Sequence, residues 1–163
     1  MTFSTNVAGA NFESVDDSQK FALGTRSLGS DGSEWMYVKS GAAITAYDTL
    51  HVNVSFVANA ITPALAITAG DVGFAGAVSC STSGQYFWTM VRGNPTVRLA
   101  ANCQPAVPLY TTDVAGVLDD ATASLSQHQV MGVLATTSNS AASSSVGTIA
   151  SVANFPMIRR PAV

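Results

Sequence analysis

The chain has 163 residues, 10% of them charged and 47% hydrophobic, with a formal net charge of −3. That length suits one domain, with or without arms, on a single core that removes about 70% of the unfolded surface from water. Seven basic residues against ten acidic ones, scattered rather than grouped, exclude a nucleic-acid binder, whose phosphate contacts need clustered Lys and Arg.

Residues 1–7 lack a basic stretch followed by an apolar one, so no secretory leader is expected and assembly in the cytosol is. Residues 1–19 are polar and aperiodic, with Asn6, Gly9, Asn11, Asp16 and Asp17 interrupting each apolar pair, which predicts an extended N-terminal arm. From Phe21 onward short β-type runs alternate with Gly, Asn, Asp and Ser clusters. This is the rhythm of a mainly β domain over residues 20–158, a small antiparallel β-barrel or β-sandwich. The turn cluster at residues 29–33, with its Asp31-Gly32 step, predicts a hairpin closing onto an aromatic strand at residues 34–39. Residues 50–56 alternate apolar and polar side chains, which predicts a strand with one buried and one wet face, His51 on the wet one.

The weakly polar stretch at residues 57–69 is broken by Asn59, Pro63 and several Thr and falls short of the roughly 20 apolar residues that span a bilayer, so no membrane helix is expected. Further strands are predicted at residues 73–79, 85–92, 96–100 and 130–136. The run at residues 85–92 is bulky on both faces, which implies a central strand or one covered by a second subunit, and makes Tyr86, Trp88 and Met90 the candidate oligomer interface. The Ser/Ala tract at residues 137–146 reads as a loop between two strands. Beyond it, the prolines around Phe155 to Val163 argue against regular ladder pairing, leaving residues 159–163 as a short C-terminal tail. Its basic pair, Arg159 and Arg160, is suited to clamp a partner's carboxylates.

No catalytic constellation emerges. The imidazoles are His51 and His128, both in settings that favour solvent, without a nucleophile elbow or a paired-histidine zinc helix. Residues 24–29 lack the Lys and the following helix of a phosphate loop. Asp119 and Asp120 are adjacent, so on a strand they face opposite ways, and Asp31 with Glu34 is better explained as turn chemistry than as a calcium loop. Cys80 and Cys103 lack the paired short spacings of a zinc site and are expected as two buried thiols. No enzyme activity and no cofactor are therefore expected. Trp35, Tyr37, Tyr86 and Trp88 offer stacking surfaces for sugars, although aromatics on alternating strands more often form core.

Several blocks, in order, carry a resemblance. They are Gly24-Thr25, then Gly29-Ser30-Asp31-Gly32-Ser33-Glu34-Trp35-Met36-Tyr37-Val38, Ser40-Gly41-Ala42-Ala43-Ile44 and Tyr47-Asp48. Tyr86-Phe87-Trp88, the segment from Val97 to Cys103, the segment from Leu109 to Asp120 and Gly132-Val133 continue the set. Together they span about residues 21–158 and resemble the head decoration, or capsid cement, proteins of tailed bacteriophages. The resemblance implies a mainly β structural protein of the virion, a homotrimer on the outer face of the head that staples neighbouring major capsid subunits. It implies no catalysis.

Composition agrees with that expectation: 25 alanines, 19 serines, 16 threonines and 13 glycines suit closely packed strands and broad contact surfaces. Terminal segments are least committed to a core, so Phe3, Phe12, Arg159 and Arg160 are the expected capsid contacts. The competing expectation is a head-fibre or adhesion component that binds host-surface glycans through Trp35 or Tyr86.

Overall fold

The computed structural model describes residues 10–121, 126–140 and 146–159. The protein is mainly β, 46% strand and 3% helix, with a closed five-stranded β-barrel and additional strands. In chain order the strands of the first half are β1 (Val15–Asp16), β2 (Arg26–Leu28), β3 (Glu34–Ser40), β4 (Thr49–Asn53) and β5 (Val57–Ala60). A one-turn helix, α1 (Pro63–Ala66), follows, then β6 (Gly70–Phe74) and β7 (Tyr86–Gly93). The second half adds β8 (Thr96–Leu99), β9 (Leu109–Thr111), β10 (Leu118–Asp119), β11 (Gln129–Ala135) and β12 (Gly147–Arg159).

The pairings trace two five-strand circuits. One runs β7, β6, β4, β5, β3 and back to β7; the other runs β8, β10, β9, β11, β12 and back to β8. They are joined where β12 crosses from β8 to β7, with Ala153 opposite Gly93 and Asn154 opposite Arg92. Each circuit has its own apolar filling. Met36, Val38, Leu50, Val52, Ala58, Phe87 and Val91 fill the first; Val97, Leu99, Leu109, Leu118, Val130 and Val133 fill the second. Val72, Phe74 and Met90 point out of the first circuit and join the second core, so β6 and β7 serve both. The single core expected from length is thus two cores sharing a wall: short strands closed into small rings bury apolar side chains without a wide sheet.

Alternation accounts for β3, β4, β7, β8 and β11 near their expected positions. The C-terminal segment departs from expectation, because β12 is the longest strand, 13 residues, and carries Pro156 within it. The ladder with β11 explains how. Met131 pairs with Met157 and Val133 with Ala153, so the three residues between face only Gly132, and Pro156 sits where no N–H is required. Gly132, at φ 79°, makes this bulge possible, since a Cβ there would press on the Asn154 carbonyl. Arg159 therefore ends a strand, opposite Gln129, rather than beginning a tail.

The described part of the N-terminal arm lies along the body. Val15 and Asp16 pair with Phe87 and Tyr86, and the Lys20 N–H donates to the Tyr37 hydroxyl at 3.2 Å. No described helix is long and apolar enough to cross a membrane.

Candidate functional site: an apolar outer face and an acidic groove

On β11 Val130, Val133 and Ala135 are buried, the alternation shifting phase at the Gly132 bulge, and the exposed positions Met131 and Leu134 are apolar too. Met131 is 42% exposed and Leu134 47%; across the ladder Val152 is 50% exposed and Met157 59%. Leu134 faces Val152 and Met131 faces Met157, two exposed apolar pairs on either side of the bulge. Beside them a groove of about 480 Å³ runs between this ribbon and Ala106 and Pro108. Phe155, 43% exposed, lies at the bulge, where its φ of 45° turns the chain and the Arg26 guanidinium lies 5.8 Å from its ring. A solvent face of an antiparallel pair is ordinarily polar, so these exposed apolar side chains stand out. Sequence reading missed it because β12 was not expected. Its signal was present in residues 130–135, where both alternating sets are apolar.

The expected site residues fall in three places. Phe3 and Arg160 lie outside the described residues. Phe12 stacks on Trp35, rings parallel within 3° at 5.0 Å, and meets Trp88 edge-on at 5.4 Å. Trp88 also packs against Phe21 and Tyr37, at 5.2 and 5.1 Å, and is 1% exposed. The two-sided bulk of β7 is therefore covered from within the chain: Phe12 and Phe21 roof its outer side, and Met90 belongs to the core shared by the circuits. That cover removes the argument that placed a subunit seam at Trp88 and Met90. Tyr86 is half-buried, stacked on Tyr37, with the Lys39 ammonium 5.8 Å from its ring. Trp35 is half-buried, with Phe12 stacked on one face of its ring.

A second concave feature lies beside Phe12. A groove of about 390 Å³ is bounded by Phe12, Glu13, Asp31 and Trp35, with Gly29 and Ala77 completing its walls. The Ser33 amide and hydroxyl donate to the Asp31 carboxylate, the amide at 3.0 Å, and these bonds hold its pKa below the usual carboxylate range. Both acids are exposed, and neither makes an ion pair among the described residues.

Both histidines are buried rather than solvated. His51 is covered by the segment after α1, its Nε2 lying 3.1 Å from the Thr68 hydroxyl, and the His128 N–H donates to the Thr111 hydroxyl at 3.0 Å. Cys80 and Cys103 are free and buried, and burial pushes both thiols up to about 11, so they stay protonated at neutral pH. Asp119 and Asp120 do not diverge as expected, because Asp120 lies past the end of β10 and its carboxylate turns back to accept from the Gln104 N–H at 2.8 Å. Cys103, Asp119 and Asp120 thereby bring potential ligand atoms within 4.8 Å of one another. Burial raises the Asp119 carboxyl above its ordinary pKa.

Compared with protein-family models and with curated protein sequences, the chain matches none.

Proposed function

We propose that the protein is a structural component of a tailed-bacteriophage virion, a decoration or cement protein that binds the outside of the head and staples neighbouring major capsid subunits. The observation that carries the reading is the apolar outer face of β11 and β12 at Met131, Leu134, Val152 and Met157. It suits a broad protein contact better than a small ligand, because it is open and has few polar groups to orient one. The ordered sequence blocks that resemble decoration proteins point the same way. Self-association as a homotrimer belongs to the same reading: a trimer placed across several capsid subunits gains avidity from contacts that are individually modest.

The test is binding to heads, lacking this protein, of the phage that encodes it, followed by sedimentation. Wild-type protein co-sediments to saturation, in number comparable to the capsid subunits. Leu134→Glu with Val152→Glu, which puts two carboxylates on the patch and nothing in the core, lowers head affinity at least about tenfold. Failure of the wild type to bind heads, or undiminished binding of the double variant, overturns the reading.

A further inference from the structure

The strands of the second circuit bring three metal-binding side chains to one end of it. β8 and β10 run parallel, Leu99 beside Leu118, and the Ala100 N–H donates to the Leu118 carbonyl at 2.8 Å, so the segments leaving both strands lie together. Asp119 ends β10 and Asp120 follows it. On the neighbouring segment Asn102, at φ 64°, turns the chain. The Asn102 N–H donates to the Asn139 carbonyl and the Asn139 N–H to the Cys103 carbonyl, each at 2.9 Å, which fixes Cys103 in place. Its sulfur and an oxygen of each carboxylate lie within 4.8 Å of one another.

The thiol and the acids point to a cation separately. Asp119 and Asp120 are half-buried, and neither forms an ion pair among the described residues. The Gln104 N–H holds Asp120 at 2.8 Å and the Ala121 N–H meets Asp119 at 3.4 Å, so two like charges are gathered without a counter-charge. Cys103 is fully buried, yet its sulfur is turned toward these carboxylates. Its contact with the Gln104 carbonyl, at 3.9 Å, is too long to occupy the thiol. Burial, then the charges of Asp120 and Asp119, hold that thiol up at about 11. A dication reverses this balance, because it favours thiolate and carboxylates together.

We propose that Cys103, Asp119 and Asp120 form a binding site for a zinc-type divalent cation, which clasps the loop after β8 to the end of β10. Around a tetrahedral zinc ion, sulfur and oxygen ligands stand about 3.5 Å apart, so small rotations of the carboxyl groups close the set, with water in the fourth position. The thiolate selects against calcium and magnesium, which take oxygen ligands. On binding, the metal–sulfur bond forms as the S–H bond breaks, and the proton passes to solvent. The half-buried carboxylates give the ion its way in. The site does not depend on the capsid reading.

The test uses the full chain with Cys80→Ala, which leaves Cys103 as its one thiol, stripped of metal by a chelator and kept reduced. Titration with Co2+ is expected to give thiolate-to-cobalt charge-transfer absorption and the visible bands of a tetrahedral ion, saturating at one equivalent and displaced by Zn2+. Zn2+ raises the urea midpoint of the same protein, and Mg2+ at equal concentration does not. Cys103→Ser abolishes the charge-transfer absorption, and Asp119→Asn lowers cobalt affinity at least about tenfold. Asp119→Asn preserves the shape of a half-buried side chain, so it carries the comparison even where the serine variant fails to fold. Absence of thiolate absorption up to about 1 mM Co2+, or wild-type cobalt affinity in Asp119→Asn, overturns the site.

Discussion

Asp48 and Arg98 illustrate how one residue pair ties the two circuits. Asp48 is 2% exposed just before β4, and the Arg98 guanidinium on β8 donates to its carboxylate at 2.5 Å. Gly116 passes so close, at φ 77°, that any Cβ there would strike the Asp48 side chain. Burial nonetheless wins over the bonds from the Thr45 N–H and Arg98, and the Asp48 carboxyl sits above its ordinary pKa of 3.8. The folded state thus binds this proton more tightly than the unfolded chain does, so the Asp48 contribution to stability falls as pH rises from 3.8 through the folded value. Arg98→Gln removes the partner and leaves the carboxylate buried. It should cost about 3 kcal/mol at pH 7 and distinctly less near pH 4, measured by urea denaturation at the two values. An equal loss at both would refute a charge-based role. Phe12 offers a second residue-scale test. Phe12→Ala removes the ring over Trp35 and Trp88, and should cost about 1.5–2 kcal/mol and shift tryptophan emission to the red without loss of β structure.

Among the elements, β12 ties the two circuits together, since it pairs with β8, β7 and β11 along its 13 residues. Gly132→Val brings a β-branched side chain to φ 79° and against the Asn154 carbonyl, and should destabilise by about 1–3 kcal/mol in denaturant titrations. Restraint of the loss to a few tenths would mean that the bulge relaxes freely. This same element marks where the sequence stops being legible. Strands β3, β4 and β7 announce themselves because each alternation or aromatic run is local, and the Gly29 to Ser33 turn signals the hairpin that closes β2 onto β3. The fate of Pro156 is decided instead by Gly132, 24 positions away, and nothing local signals that pairing. The apolar patch was hidden for the same reason: Leu134 becomes half of a patch only once Val152 is known to face it. His51 misled similarly, its wet-looking position being roofed by Thr68 from the segment after α1.

At the scale of the whole molecule, the question is whether two cores mean two unfolding units. The walls argue against it. Val72, Phe74 and Met90 leave the first circuit to pack in the second core, β12 pairs into β7, and Asp48 reaches Arg98. Opening either ring would expose the shared side chains, and an exposed Phe or Met costs about 1.5–3 kcal/mol. Each ring supplies its own reporter. Both tryptophans, Trp35 and Trp88, lie on β3 and β7 of the first circuit, whereas Cys103 is buried in the second core. Its thiol, held near 11 by burial, reacts with a thiol reagent only when that core opens. With Cys80 replaced by Ala, tryptophan emission and Cys103 labelling should follow one denaturant midpoint, as a single cooperative unit requires. Labelling of Cys103 well below the fluorescence midpoint would show instead that the second circuit opens alone. In that case the apolar face on β11 and β12 would belong to the less stable part of the molecule, and its docking to a partner would raise the Cys103 midpoint toward that of the tryptophans.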